Sequence, residues 1–249
     1  MYTIDMNCDL GESFGRFTIG RDEEVIPYIT SANVACGYHA SDPMVMGKTV
    51  QIAKKNGVHV GAHIGFPDLM GFGRRNMVIS PEEAKTYTMY QMGALMGFLA
   101  AEHMTLSHVK PHGAFYNMAA KDYQMSLAIC EGIKAIDSKV ALMGLAGSEM
   151  IRAAKAVGIP VIQEVFADRA YEEDGTLVAR SKPGAMIEDE NEAIQRVIRM
   201  VKDRKVNAIT GKDVDIQPDS VCVHGDGKAA LLFVKKIREA LEREGILIK

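Results

Sequence analysis

Nothing in the cysteine content supports a covalent framework: Cys8, Cys36, Cys130 and Cys222 are scattered singly, without a CxxC pair. That excludes a disulfide-stapled scaffold and fits reduced thiols in a cytoplasmic protein. Net charge is small as well. The formal net value is −3, and no run of Lys or Arg interleaves with aromatics, so an electrostatic footprint for nucleic acid is missing. No apolar run approaches membrane-spanning length. The richest, MGALMGFLAAEHM from Met92, is broken by glycines and a Glu-His pair and reads as a buried helix. The opening MYTIDMNCDLGE lacks a basic segment followed by a long apolar one, so no signal peptide is expected. Neither a GxxxxGK[ST] loop nor an HExxH pair occurs. HGDGKAALL offers GxGxxA, but too little chain follows for a dinucleotide-binding unit.

What is present is an ordinary globular composition, 47% hydrophobic and 24% charged over 249 residues, enough to bury a sizeable core. Short β-like runs (YTIDMNC, ITSANVAC, GVHVGAHIG, LSHVKPH, KVALMGL, IPVIQEVFA and SVCVHGD) alternate with helical stretches. Ser80, Pro81 and Glu83 spell a capping box opening a helix that runs to about Glu102. DPMVMGKTVQIAKKNG closes with Gly57 after a basic last turn. At least seven β/α units without a linker or composition break predict an α/β fold, a single β/α barrel domain over residues 1–249, with an open doubly wound sheet as the alternative.

Barrel enzymes collect their chemistry at the C-terminal ends of the strands, and polar residues cluster there. Asn7 and Asp9 share a face of the first strand; Asn33 and His39 belong to the second, and His59 and His63 to the third. The fourth carries His108, Lys110 and His112 at every second position, hence on one face. Glu164, Asp168 and Arg169 follow on the sixth, and His224 and Asp226 on the last. Held together, carboxylates, imidazoles and a lysine shift one another's pKa values and can share proton transfer. Lys110 could hold an anion, polarise a carbonyl or, if desolvated, act as a nucleophile. Asp9, His39 and His63 are suitable donors for a divalent metal, although their spacing in sequence does not support one. The loop GFPDLMGFGRRNM, residues 65–77, reads as a flap or anion clamp through Arg74 and Arg75.

The strings NCDLGESFG, TSANVACGYHASDP, GAHIGFPDLMGFGRR, HVKPHGAFYN, EVFADRAY and CVHGD, in that order, resemble the LamB/YcsF family. The resemblance implies a seven-stranded barrel related to glycoside hydrolases and polysaccharide deacetylases. It also implies ATP-dependent hydrolysis of 5-oxo-L-proline to L-glutamate by the A subunit of a 5-oxoprolinase, with subunits B and C as partners and ATP as co-substrate. Carried over by motif, the catalytic candidates are Asp9, Glu12, His39, His63, Lys110 and His112. The substrate-binding candidates are Asn33, Arg74, Arg75, Glu164, Asp168, Arg169, His224 and Asp226. Lys110 and Arg169 would stabilise anionic charge, while Asp9 or Glu12 with the histidines would activate water and protonate nitrogen. The family pattern is departed from at Ser41, where glycine is usual, at Ile64, where proline is usual, and in HGDGK. A metal-dependent deacetylase-like hydrolase and a non-catalytic protein that only binds the lactam are the competing readings, and a homo-oligomer is compatible with either.

Overall fold

Seven of the short apolar runs become parallel strands of one closed barrel in a computed structural model that describes residues 1–223 and 228–249. His224 and Asp226 lie outside the described residues. In chain order the elements are β1 (Tyr2–Leu10), α1 (Asp22–Val25) leading into a 3-10 turn (Ile26–Tyr28), β2 (Ser31–Ala35), α2 (Pro43–Asn56), β3 (His59–Ile64), α3 (Pro81–Ala101) and β4 (His108–Pro111). They continue with α4 (Gly113–Ala119), α5 (Tyr123–Ile136), β5 (Ala141–Leu145), α6 (Glu149–Val157), β6 (Val161–Phe166) and α7 (Glu190–Asp203). A small antiparallel hairpin, β7 (Lys205–Asn207) and β8 (Asp213–Asp215), precedes β9 (Ser220–Cys222), α8 (Lys228–Arg243) and β10 (Ile246–Ile248).

The barrel order is β1-β2-β3-β4-β5-β6-β9, and β9 closes it by pairing with β1 through Asp5↔Ser220 to Asn7↔Cys222. β10 adds to the opposite end of β1, beside Tyr2–Ile4. Strand alternation then sorts side chains. Met6, Cys8, Val34, Val60, Ala62, Val109, Leu142, Val165 and Val221 point outward and are fully buried under the helices. Asn7, Asp9, Asn33, His63, His108, Lys110, Glu164 and Cys222 point inward.

Caps fix where the helices start. Asp42 accepts from the amides of Met44 and Val45 to open α2, which ends at Gly57 with φ +66. The capping box at Ser80 and Glu83 is formed as the sequence predicts. Ser148 is the N-cap of α6, but its hydroxyl makes no cap bond. Among the described residues no helix is long and apolar enough to cross a membrane. The four thiols are buried and unbonded to one another.

Ser41 holds φ +75 while fully buried, in the left-handed region that favours glycine. Its amide donates to the Ser13 carbonyl, which ties the β2–α2 connection to the loop after β1. A Ser41→Gly change is therefore expected to stabilise the fold by about 0.5–1 kcal/mol, the relief of left-handed strain less the greater freedom of glycine when unfolded. Urea denaturation should show a higher midpoint with an unchanged slope.

Candidate active site

The barrel interior is a polar ladder along β1. At the lower end Asp5 Oδ1 accepts from the hydroxyls of Thr30 (2.6 Å) and Ser31 (2.7 Å), and its Oδ2 accepts from Ser220. Asn7 Nδ2 donates to Ser220 Oγ at 2.7 Å. Asn33 Nδ2 donates to both Asn7 Oδ1 and Asp9 Oδ1 at 2.8 Å, and Asn33 Oδ1 accepts from His108 Nε2 at 2.7 Å. Gly61 makes room for that imidazole, since a Cβ there would lie 2.1 Å from His108 Nε2. Burial holds His108 down at a pKa of about 3, so it is a neutral structural group beneath the site.

Lys110 Nζ sits at the centre. It lies 2.9 Å from Asp9 Oδ1, 2.6 Å from Glu164 Oε1, 3.2 Å from Asn7 Oδ1 and 3.4 Å from Cys222 Sγ. Burial alone would drive its pKa down, but Asp9 and Glu164 outweigh that and raise it well above the usual lysine value. The nucleophile option is thereby removed: the amine is a saturated ammonium. Glu164, fully buried, also accepts from the Tyr116 hydroxyl at 2.8 Å.

Above this layer four groups converge. His63 Nδ1 is 3.0 Å from the Lys110 carbonyl, and His112 Nε2 is 2.9 Å from the Phe72 carbonyl. A carbonyl only accepts, so each of these nitrogens carries hydrogen. The remaining nitrogens, His63 Nε2 and His112 Nδ1, face each other at 2.9 Å. Glu12 Oε1 lies 3.5 Å from His112 Nδ1, 4.0 Å from His63 Nε2 and 3.3 Å from His39 Nε2. Asp9 Oδ2 lies 3.4 Å from His63 Nε2. The His39 ring stacks on His112 with centroids 3.7 Å apart and planes 3° from parallel. Burial, then the neighbouring histidines, hold the pKa of His39 well below the ordinary value.

These groups floor a cavity of about 710 Å³ at the C-terminal ends of the strands, lined by Asp9, Glu12, His63, Lys110 and His112 below and by Phe72, Arg74, Tyr116, Phe166, Arg169 and Arg180 around it. The segment between β6 and α7 forms one wall: Val178 N donates to Ala170 O, and Arg169 Nη2 donates to Val178 O at 2.7 Å. Burial and the nearby Arg180 cation lower the pKa of Arg169. Among the described residues Arg74, Arg169 and Arg180 close no salt bridge, and this positive wall faces an acidic floor.

Of the residues singled out by sequence, Asp9, Glu12, His63, Lys110, His112, Arg74 and Arg169 line the cavity. His39 lies directly behind them, stacked on His112. Asn33, Glu164 and Asp168 do not line it. Asn33 and Glu164 lie one layer lower, and the Asp168 carbonyl accepts from the Ile187 amide. Arg75 pairs with Asp68, with Nε 3.0 Å from its oxygens, and staples the loop after β3. His59 is exposed at the start of β3, at the far end of the barrel. Sequence reasoning missed Arg180, Tyr116 and Cys222. Tyr116, four residues after His112 on α4, was readable from helical spacing, and Cys222 from strand alternation. Also missed was GESFG, residues 11–15, which has the GxSxG spacing of a nucleophile elbow. The structure gives it no such role, because Ser13 Oγ is engaged with the backbone of Ile19 and the strand is followed by a Phe14–Phe17 turn.

The LamB/YcsF family matches residues 4–249. The chain is 62% identical over 248 residues to the 5-oxoprolinase A chain of Clostridium beijerinckii, covering 100% of this chain and 97% of that one. The crystal structure of a lactam utilization protein from Thermus thermophilus superposes with a TM-score of 0.94 at 44% identity, over 99% of both chains. The T48 deacetylase superposes at 0.51 with 10% identity over 100% of this chain and 87% of that one, a likeness of fold alone.

The buried His108 gives a pH dependence with a fixed sign. Its folded pKa of about 3 lies below the unfolded value near 6.5, so its contribution is fully present above about pH 6.5 and lost as pH falls toward 3. Unfolding free energy should drop by about 1.4 kcal/mol per pH unit for this group between pH 6 and 4. In urea titrations at pH 7.5 and 5, a His108→Gln chain should show a shallower loss than the wild type.

Proposed function

The chain belongs to the LamB/YcsF family, and we propose that the cavity at its barrel mouth is where a cyclic amide is held for hydrolysis. On this reading the chain acts as its 62% identical relative is named, as the A component of a 5-oxoprolinase, in an ATP-dependent opening of 5-oxoproline to glutamate. The observation that carries the siting is the pairing of an acidic, imidazole-rich floor with a wall of three arginines in one cavity.

The substrate's chemistry asks for both halves. Its carboxylate needs a cationic partner, which Arg169 and Arg180 supply from the wall. The lactam is an unstrained amide, a poor electrophile with a poor leaving group. Transfer of the terminal phosphoryl group of ATP to the amide oxygen makes the carbon electrophilic. Water then adds, the C–N bond breaks, the nitrogen takes a proton, and ADP, phosphate and glutamate leave. Asp9 is the group placed to accept the water's proton. One of its oxygens is anchored by Lys110 and Asn33, and the carboxylate borders the cavity. Lys110, with its protons already committed, acts by charge and position rather than by covalent chemistry. Subunits B and C complete the enzyme, and ATP is the co-substrate.

Glutamate and ADP release from 5-oxoproline and ATP should require this chain and both partners. Asp9→Asn should lower kcat by about 10²–10⁴-fold, whereas Arg180→Ala should act mainly by raising KM. No turnover in the complete mixture would overturn the reading, and ATP-independent amide cleavage by this chain alone would replace it with a deacetylase-like hydrolase.

A further inference from the structure

The two facing nitrogens above Lys110 pose a problem that the lactam reading does not address. Because the Lys110 and Phe72 carbonyls hold hydrogens of His63 and His112 on their outer nitrogens, the inner nitrogens, facing each other across 2.9 Å, are the ones left to take a cation or a shared proton. Two ring nitrogens so close need positive charge between them, a proton or a metal ion. Glu12 Oε1, 3.5 Å from one of them, brings negative charge to the same point. The outer bonds are also those of metal-ligating histidines, whose second nitrogen donates to a carbonyl or carboxylate.

We propose that Glu12 Oε1, His63 Nε2 and His112 Nδ1 form, among the described residues, a three-ligand site for one divalent transition-metal ion of the zinc class, open toward the cavity. Mixed imidazole and carboxylate donors with a position left for solvent or substrate suit such ions. Donors about 2.1 Å from a common ion stand roughly 3–3.5 Å apart, and two of the three separations here are 2.9 and 3.5 Å, with the third at 4.0 Å.

His39 belongs to the same buried cluster but is not a ligand. Imidazole lone pairs lie in the ring plane. The His39 and His112 planes are 3° from parallel and their centroids 3.7 Å apart, so their lone pairs lie in separate parallel planes and no single ion sits in both. The His63 plane is 89° from that of His112, and these two can converge. His39 instead donates through Nε2 to Glu12 and positions it. His39, unlike the three ligands, does not line the cavity.

The test uses the isolated full chain, stripped with chelator and titrated with Co²⁺ and Zn²⁺ without ATP, lactam or partners, so its outcome is separate from that of the oxoprolinase assay. About one ion per chain is expected, with Co²⁺ visible absorption bands of a nitrogen and oxygen site. His63→Ala, His112→Ala and Glu12→Gln should each abolish those bands, while His39→Gln should retain one ion per chain with affinity reduced by about 10–100-fold. Circular dichroism identifies any variant that fails to fold, and the wild-type stoichiometry is decisive without them. Less than about 0.1 ion per wild-type chain overturns the site. Uptake undiminished in folded His63→Ala or His112→Ala chains overturns the ligand assignment, as does complete loss in folded His39→Gln.

Discussion

A single ammonium in the middle of the barrel sets the terms for everything around it. Transferring a charge of that size out of water costs several kcal/mol even after the protein relaxes. Lys110 is buried to 2% exposure, so its surroundings must compensate fully. Asp9 and Glu164 supply opposite charge, Asn7 a carbonyl oxygen, and Phe166 a ring face 5.6 Å away. Each partner then has needs of its own. Glu164 also accepts from Tyr116, Asp9 from Asn33, and Asn33 from His108, so the polar network runs through side chains of β1, β2, β4, β6 and α4. Such a network is costly when incomplete and rigid when satisfied.

That rigidity is what the site above it uses. Asp9 and His63 are held from below, Asp9 by Lys110 and Asn33 and His63 by the Lys110 carbonyl. His112 is held from the side by the carbonyl of Phe72, a residue with φ +53. Gly113 follows with φ +54 where a Cβ would meet the Gly73 carbonyl at 2.7 Å, so the loop after β3 and the start of α4 are locked edge to edge. The loop read as a flap from its glycines is, at this point, a brace. Its anion-clamp half divides between neighbours, with Arg74 at the cavity and Arg75 committed to Asp68.

The barrel was legible because each strand and helix carries local signals: alternation, caps at Asp42 and Ser80, and a glycine at residue 57. The polar face of β4 was legible for the same reason, since a period of two puts His108, Lys110 and His112 together whatever the fold. What alternation cannot rank is depth along the barrel axis. Asn33 and Glu164 share the inward face with Asp9 yet lie a layer below the cavity, a difference set by strand stagger rather than by residue type. Partners drawn from distant segments were equally hidden. The pairing of His63 with His112 and Glu12 depends on a loop, two strand ends and a helix start meeting in space, and no spacing in one dimension records it. Arg180 was missed because it stands on the long connection after β6, where neither period applies.

The closure of the ring has a consequence for how the chain is made. β1 is formed near the start of the sequence, but one of its edges pairs only with β9, through Asp5↔Ser220, and with β10, through Tyr2↔Ile246. During synthesis that edge stays unsatisfied until more than two hundred residues have emerged, so its amides, and the polar face later enclosed around Lys110, remain open to water and to other chains. Contacts so distant in sequence slow folding and lengthen exposure to aggregation. In the finished barrel that seam is covered by β9 and β10, so the open edge belongs to the chain still being made.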